Sequence, residues 1–459
     1  MLMQLRDSSG AGMVGLVIGL CVSTHAKAQV MFEDLKIIAS DAEAGVWFGE
    51  KSTVDTGILL IGSRHDNDNG TQSGSAYLVD AYTGNELFKL LAFDGEQFDL
   101  FGSAVAIRNG LAVVGSRQDN DHGADSGAVY LFDATTGMMM PTPKITPADG
   151  APGDHFGGAV AIDQSGTIAV AAWHDDDAGT DAGSVYLYDQ TGTMLHHLLP
   201  PPGSAGAAFG NEIAVENGVV VVGAARADDN GTDAGLVYLF DTNTGMPLAA
   251  APKLQPDDPI PGQLFGISVA ADANLIAVGA YFDTVNGPES GAAYVFDATT
   301  GQQISKLIPD DGVAFDRFGS SIAIEHTIVA VGAYLRDDNA TDAGAVYIFD
   351  ATTGNQLAKL LTSDATPTDF FGWRGGMDRG ILTFGAYRHS DNGPLSGAAY
   401  VFHLCRADVN HDGVLDATDF TGWISAFNAM APECDQNGDD ACDPSDFTAW
   451  LANFNAGCP

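Results

Sequence analysis

Between Cys21 and Cys405 this 459-residue chain has no cysteine at all. The long body is therefore held together without disulfides or thiolate-bound metal. Basic residues are also scarce: 19 Lys and Arg stand against 60 Asp and Glu, a formal net charge of −41. That balance excludes nucleic acid and anionic membrane surfaces as partners and favours cations and basic groups. Beyond residue 22 no apolar run approaches the ~20 residues that a membrane-crossing helix needs. The 11 histidines are scattered, with only His196 and His197 adjacent, and no nucleophile and base form a hydrolytic constellation.

The chain does carry an export signal. Arg6 precedes an apolar run over residues 12–22 and then Ala26-Lys27-Ala28, a small-x-small cleavage pattern, so residues 1–28 read as a signal peptide and Gln29 as the mature start. Leu20 occupies the place where a lipoprotein signal requires a small residue, so Cys21 leaves with the leader. Secretion or display at the cell surface follows. Four cysteines, Cys405, Cys434, Cys442 and Cys458, crowd the last 55 residues, as disulfides in a small exported module do. Of the three possible pairings, Cys405 with Cys458 and Cys434 with Cys442 is preferred, because the first joins the ends of the module.

The body, residues 29–403, repeats one unit seven times, starting at Phe48-Gly49, Phe101-Gly102, Phe156-Gly157, Phe209-Gly210, Phe265-Gly266, Phe318-Gly319 and Phe371-Gly372. Each unit holds short β-branched runs bounded by Gly, Asn or Asp; in the second they cover residues 103–107, 111–115, 128–133 and 143–146. Arg108-Asn109-Gly110 and residues 134–137 are the hairpin turns. Four antiparallel strands repeated seven times make an all-β, seven-bladed propeller. The seventh unit lacks its fourth strand, and residues 34–41 match the missing piece, with Lys36, Ile37, Ile38 and Asp41 beside Lys89, Leu90, Leu91 and Asp94. This N-terminal strand is expected to close the ring.

The Phe-Gly starts and the Val-Gly-Ala centres, as at Val278-Gly279-Ala280 and Val331-Gly332-Ala333, resemble the FG-GAP repeats of the integrin α-subunit propeller. The resemblance implies an extracellular binding or adhesion role. The family's calcium loop lies in the first hairpin, which is short here, so those metal sites do not carry over. Acidic residues sit instead in the next loop. Counting from the central Gly, or from Ala171 in the third unit, the sixth residue is Asp68, Asp121, Asp177, Asp229, Asp338 or Asp391, with Val285 the exception. Asp119, Asp121 and Asp125, and likewise Asp175, Asp177 and Asp181, have a D-x-D-x-G-x-D spacing that can offer hard oxygens to Ca²⁺. The stronger explanation is that Asp, Asn and Gly suit tight loops by capping backbone groups.

Two residues after the same central position stand Arg64, Arg117, Trp173, Ala225, Tyr281, Tyr334 and Tyr387, all at one height on one end of the ring. Beside carboxylates, such a ring suits a sugar face or a peptide with basic groups. The alternative, that these large side chains plug the junctions between blades, has the somewhat stronger claim.

Residues 404–459 form a different module with a 27-residue duplication. Asp408, Asn410, Asp412, Val414, Asp416 and Asp419 fall at positions 1, 3, 5, 7, 9 and 12 of a calcium loop, and Asp435, Asn437, Asp439, Ala441, Asp443 and Asp446 repeat the set. Each loop leads into a helix whose Phe, Trp and Phe share one stripe, read as core. Paired loops with Asp at position 12 and no helix in front resemble the dockerin domain, an α-helical EF-hand relative. The resemblance implies Ca²⁺ as cofactor and a cohesin-like or envelope partner chosen through Ala417, Thr418, Pro444 and Ser445. The whole reads as a monomeric, non-catalytic binding or adhesion protein with a glycan or protein ligand on the propeller face. The alternative is a polysaccharide-degrading glycosidase or lyase with a dockerin-like attachment module, but no opposed carboxylate pair stands out from the repeat.

Overall fold

In the computed structural model the described residues are 29–404, together with 407, 409, 415, 417–429, 434, 436 and 442–456. Seven antiparallel sheets stand around a central channel. Blade 2 shows the pattern: Phe101–Arg108, Leu111–Ser116, Ala128–Asp133 and Met139–Ile145 run from the axis outward in chain order. The first strands of all seven blades line the channel, which has a volume of about 470 Å³. Asn109 (φ 50°) and Gly110 (φ 78°) give the first hairpin its left-handed turn, and at the next hairpin Asp133 accepts the backbone N–H groups of Thr135 and Thr136 (2.9 Å each).

The Phe-Gly signature is a packing device. All seven phenylalanines are fully buried, each against the third-strand tyrosine of its own blade at 5.2 to 5.7 Å between ring centroids, six of them edge-on and Phe209 tilted at 56° to Tyr238. The glycines let neighbouring blades touch backbone to backbone. Between blades 2 and 3, a Cβ on Gly115 would lie 2.1 Å from the Gly157 carbonyl oxygen, and one on Gly127 (φ +88°) would lie 2.0 Å from that of Phe156. No side chain fits either place, which is why the repeat spells glycine there.

The ring closes as the sequence indicates. Leu35–Ile37 pairs antiparallel with Ala398–His403, Lys36 opposite Tyr400, and supplies the fourth strand of blade 7. The stretch before it was not foreseen: Gln29–Phe32 adds a fifth strand to blade 6, parallel to Gln356–Leu361. The N-terminal segment thus laces two blades together.

The tail has helices at Ala417–Ala429 and Pro444–Ala456. Trp423 and Trp450 are buried, but Phe420 and Phe447 are 37% and 42% exposed, so the aromatic stripe is only partly core. Cys434 and Cys442 form a disulfide with Cα atoms 5.7 Å apart. Cys405 and Cys458 lie outside the described residues, as do residues 1–28, the expected signal peptide, and loop positions Asp408, Asn410, Asp412, Val414, Asp416, Asp435, Asn437, Asp439 and Ala441. Among the described residues no helix is long and apolar enough to cross a membrane.

Candidate functional site

Each first strand begins where the second strand of its blade ends; Phe101 is opposite Ser116 and Phe318 opposite Ala333. The residues two places past the central glycine therefore share one end of the ring, with the mouth of the channel between them. Their side chains are engaged in packing to different degrees. Tyr334 and Tyr387 are 6% and 9% exposed. Trp373 packs on both, at 4.7 and 5.6 Å, and Trp47 lies 5.2 Å from Tyr387 across the closing junction. The Tyr334 hydroxyl accepts a hydrogen bond from Arg317 Nη1 at 2.6 Å. Trp173 and Tyr281 stay half-exposed, as do Arg64 and Arg117. Trp173 rests against His174 at 3.8 Å, and Tyr281 against Phe282 at 4.4 Å.

Deeper in the mouth an ion cluster crosses the axis. Lys51 of blade 1 reaches Glu212 of blade 4 at 3.3 Å, and Arg374 of blade 7 approaches the same carboxylate at 3.5 Å. Blades 1 and 4 are not neighbours, so this contact spans the channel. Above it Arg64 pairs with Glu50 at 2.5 Å and lies over the Trp47 ring at 4.9 Å. Burial, then the charges of Arg64 and Arg117, push His65 down to about 4.

The acidic loops do something else. Lys144, on the fourth strand of blade 2, sits among Asp94 (2.8 Å), Asp119 (2.8 Å) and Asp121 (2.7 Å). The Tyr130 hydroxyl lies between Asp94 and Asp119 at 2.7 and 2.9 Å. Burial opposes the Lys144 charge, yet its hydrogen bonds to Asp119, Asp121 and Asp94 prevail and raise its pKa. Lys89 repeats the nest with Asp41, Asp66 and Asp68; Lys36 does so with Asp364 and Asp391, and Lys359 with Asp311 and Asp338. The cation amid these carboxylates is the protein's own ammonium group. Sequence reasoning missed this role, although a lysine recurring at one place on the fourth strand was its signal.

Neither D-x-D-x-G-x-D triad is brought together. Asp125 and Asp181 adopt left-handed backbone (φ 56° and 49°) in the loop, Asp181 pairing with His174 at 2.6 Å. Asp175 instead accepts Ser184 and Tyr186 hydroxyls at 2.7 and 3.0 Å. In blade 3 His197 takes the place of the lysine, and its ring converges with Asp149 and Asp177. The expected acidic, aromatic face is thus two zones: carboxylates outward, gathered around a lysine in every blade but the third, and arginines with aromatics toward the axis.

At the far mouth, acidic residues ending the first strands cap the next blade: Asp55 accepts Asn109 N–H at 2.8 Å, and Asp378 accepts Thr56 N–H at 2.7 Å. In the tail, Asp419 and Asp446 are fully buried, and Asp446 accepts the N–H groups of Gln436 (2.9 Å) and Asp443 (2.8 Å). Ala417 and Thr418 open the first helix, and Pro444 and Ser445 the second, with the Ser445 N–H and hydroxyl both donating to Asp443.

The family model for the FG-GAP repeat matches residues 32–79, 85–132, 141–188, 193–240, 250–296, 302–349 and 355–402. No curated protein matches the chain. Among solved structures, that of the computationally designed Ika8 protein aligns with 83% of this chain and 100% of its own, at 16% identity and a TM-score of 0.46.

Proposed function

The chain belongs to the FG-GAP repeat family, and on that premise we propose that it is a secreted or cell-surface binding and adhesion protein without catalytic activity. It takes a glycan or protein ligand at the loop end of the propeller. The observation that carries this reading is the half-exposed Trp173 and Tyr281 beside arginines at one mouth of a rigid ring. Flat apolar faces with polar edges, held on strand ends, are what a pre-formed recognition surface needs. Against a hydrolytic pair stands the use of most repeated carboxylates in lysine nests and backbone caps.

The tail supplies attachment in this reading. Its duplicated loops hold Ca²⁺, and the buried Asp419 and Asp446 suit the closing ligand position of each loop, where a carboxylate shut away from water needs a cation or N–H partners. Ala417, Thr418, Pro444 and Ser445 then face an envelope or cohesin-like partner.

The test is binding of the full chain to panels of glycans and extracellular proteins. Trp173→Ala and Tyr281→Ala should weaken the recovered ligand about tenfold, the loss of ~1.4 kcal/mol, with the melting temperature unchanged. Tyr334→Ala and Tyr387→Ala should instead lower the melting temperature. Release of new reducing ends from any glycan, or indifference of binding to Trp173 and Tyr281, would overturn the proposal.

A further inference from the structure

In a chain with 60 acidic and 19 basic residues, every cation has carboxylates to choose from. All the lysines among the described residues do find one within ion-pair distance, and so do six of the arginines. Arg117, Arg226 and Arg388 belong to no ion pair among the described residues. All three lie at the same end of the ring: Arg117 two places past the central glycine of blade 2, Arg226 and Arg388 three places past those of blades 4 and 7. The Arg117 Nε is buried without a hydrogen-bond partner. Beneath them Lys51 and Arg374 share the single carboxylate of Glu212. Glu50 and Asp125 act on Arg117, and Asp342 on Arg388, through charge attraction without an ion-pair contact, so both guanidinium groups keep donors for an anion entering the narrow, low-dielectric mouth.

We propose that this mouth binds the oxyanion of an acidic sugar, a uronate carboxylate or a sulfate ester, with Arg117 as the principal guanidinium. The inference rests on the rim being a ligand-binding surface and adds the charge class of the ligand. Guanidinium groups bind such oxyanions through paired N–H donors. Arg64 and Arg388 lie over the rings of Trp47 and Phe370 at 4.9 and 4.6 Å, and the partly exposed Trp173 and Tyr281 of the same rim offer apolar surface for a pyranose. An extended acidic peptide brings the same charge but no flat apolar face to set on these rings, so the aromatic part of the rim favours the sugar.

The test titrates the full chain calorimetrically, at low ionic strength, with tetragalacturonate, its fully methyl-esterified form, galactose 6-sulfate, galactose and tetraglutamate. The free acid should bind at least about tenfold more tightly than the ester, and Arg117→Gln and Arg388→Gln should each remove most of that preference. Galactose 6-sulfate against galactose shows whether a sulfate ester serves as well as a carboxylate. Near-ultraviolet circular dichroism of both variants separates loss of binding from loss of fold. Equal affinity for acid and ester, with binding still sensitive to Trp173→Ala, overturns the charge assignment and leaves the binding surface standing. Tetraglutamate binding as tightly as tetragalacturonate overturns the sugar assignment. Absence of binding by every probe, neutral ones included, overturns both the inference and the reading it rests on.

Discussion

At the residue scale the repeat is written by two kinds of constraint, close approach and charge. Gly115 and Gly127 are required because a neighbouring carbonyl occupies the space a side chain would fill. Lys144 is required because three carboxylates converge on it, one of them, Asp119, almost without solvent. Lys144→Met keeps the aliphatic stem and removes the cation, leaving Asp94, Asp119 and Asp121 to repel one another. The expected loss is about 2 kcal/mol, below the roughly 3–5 kcal/mol of a fully buried pair because Asp94 and Asp121 remain partly hydrated. Denaturant unfolding measures it, and a variant as stable as the parent would show that the nest adds nothing to stability.

At the scale of elements, the closing strand was legible because Lys36, Ile37 and Asp41 repeat a pattern found at the fourth strands of blades 1, 2, 4, 5 and 6, with blade 3 alone departing from it at His197 and Pro202. Gln29–Phe32 had no counterpart in the repeat, so its pairing with blade 6 could come only from three-dimensional proximity. The tail helices were legible from their periodicity, whereas the exposure of Phe420 and Phe447 was not, since a stripe says nothing about how much of it a small partner can cover. If the preceding loops hold Ca²⁺, chelation should speed amide hydrogen exchange across residues 417–429 and 444–456 while blade peptides stay unchanged. Identical exchange with and without chelator would remove calcium from the account of the tail.

At the scale of the whole molecule, stability should pass through a maximum in mildly acidic solution. Burial first, and neighbouring carboxylates after it, raise Asp99 and Asp154 to about 6. The folded chain therefore binds protons there that the unfolded chain, with these groups near 3.8, does not, and stability falls as pH rises through about 4 to 6. His389 acts in the same direction: burial opposes its charge, but Asp369 and Asp391 outweigh that and raise its pKa, so its contribution is present below the ordinary 6.5 and lost above the raised value. Asp41, Asp94, Asp311 and Asp364 act oppositely, each held low against burial by lysine and tyrosine hydrogen bonds. Their contributions disappear only as pH falls below the ordinary carboxylate range. The melting temperature should accordingly rise from pH 7.5 to about 5 and drop below about 4, and Asp99→Asn with Asp154→Asn should flatten the upper arm. A melting temperature that climbs steadily toward neutral pH would contradict this.

What the sequence determined by itself is everything built from local rules: strand period, turn residues, the count of blades, the closing strand and the two helices of the tail. These depend on neighbours within a few residues, and sevenfold repetition averaged out the noise of any one copy. Tertiary structure alone decided the chemistry of the surfaces. Lys51 meets Glu212 from another blade across the axis, and Lys144 gathers Asp94 and Asp119 from 50 and 25 residues away (144 − 94 and 144 − 119). Which charges neutralise one another, and hence which arginines are left over at the mouth, is a property of distances through space that no linear spacing encodes.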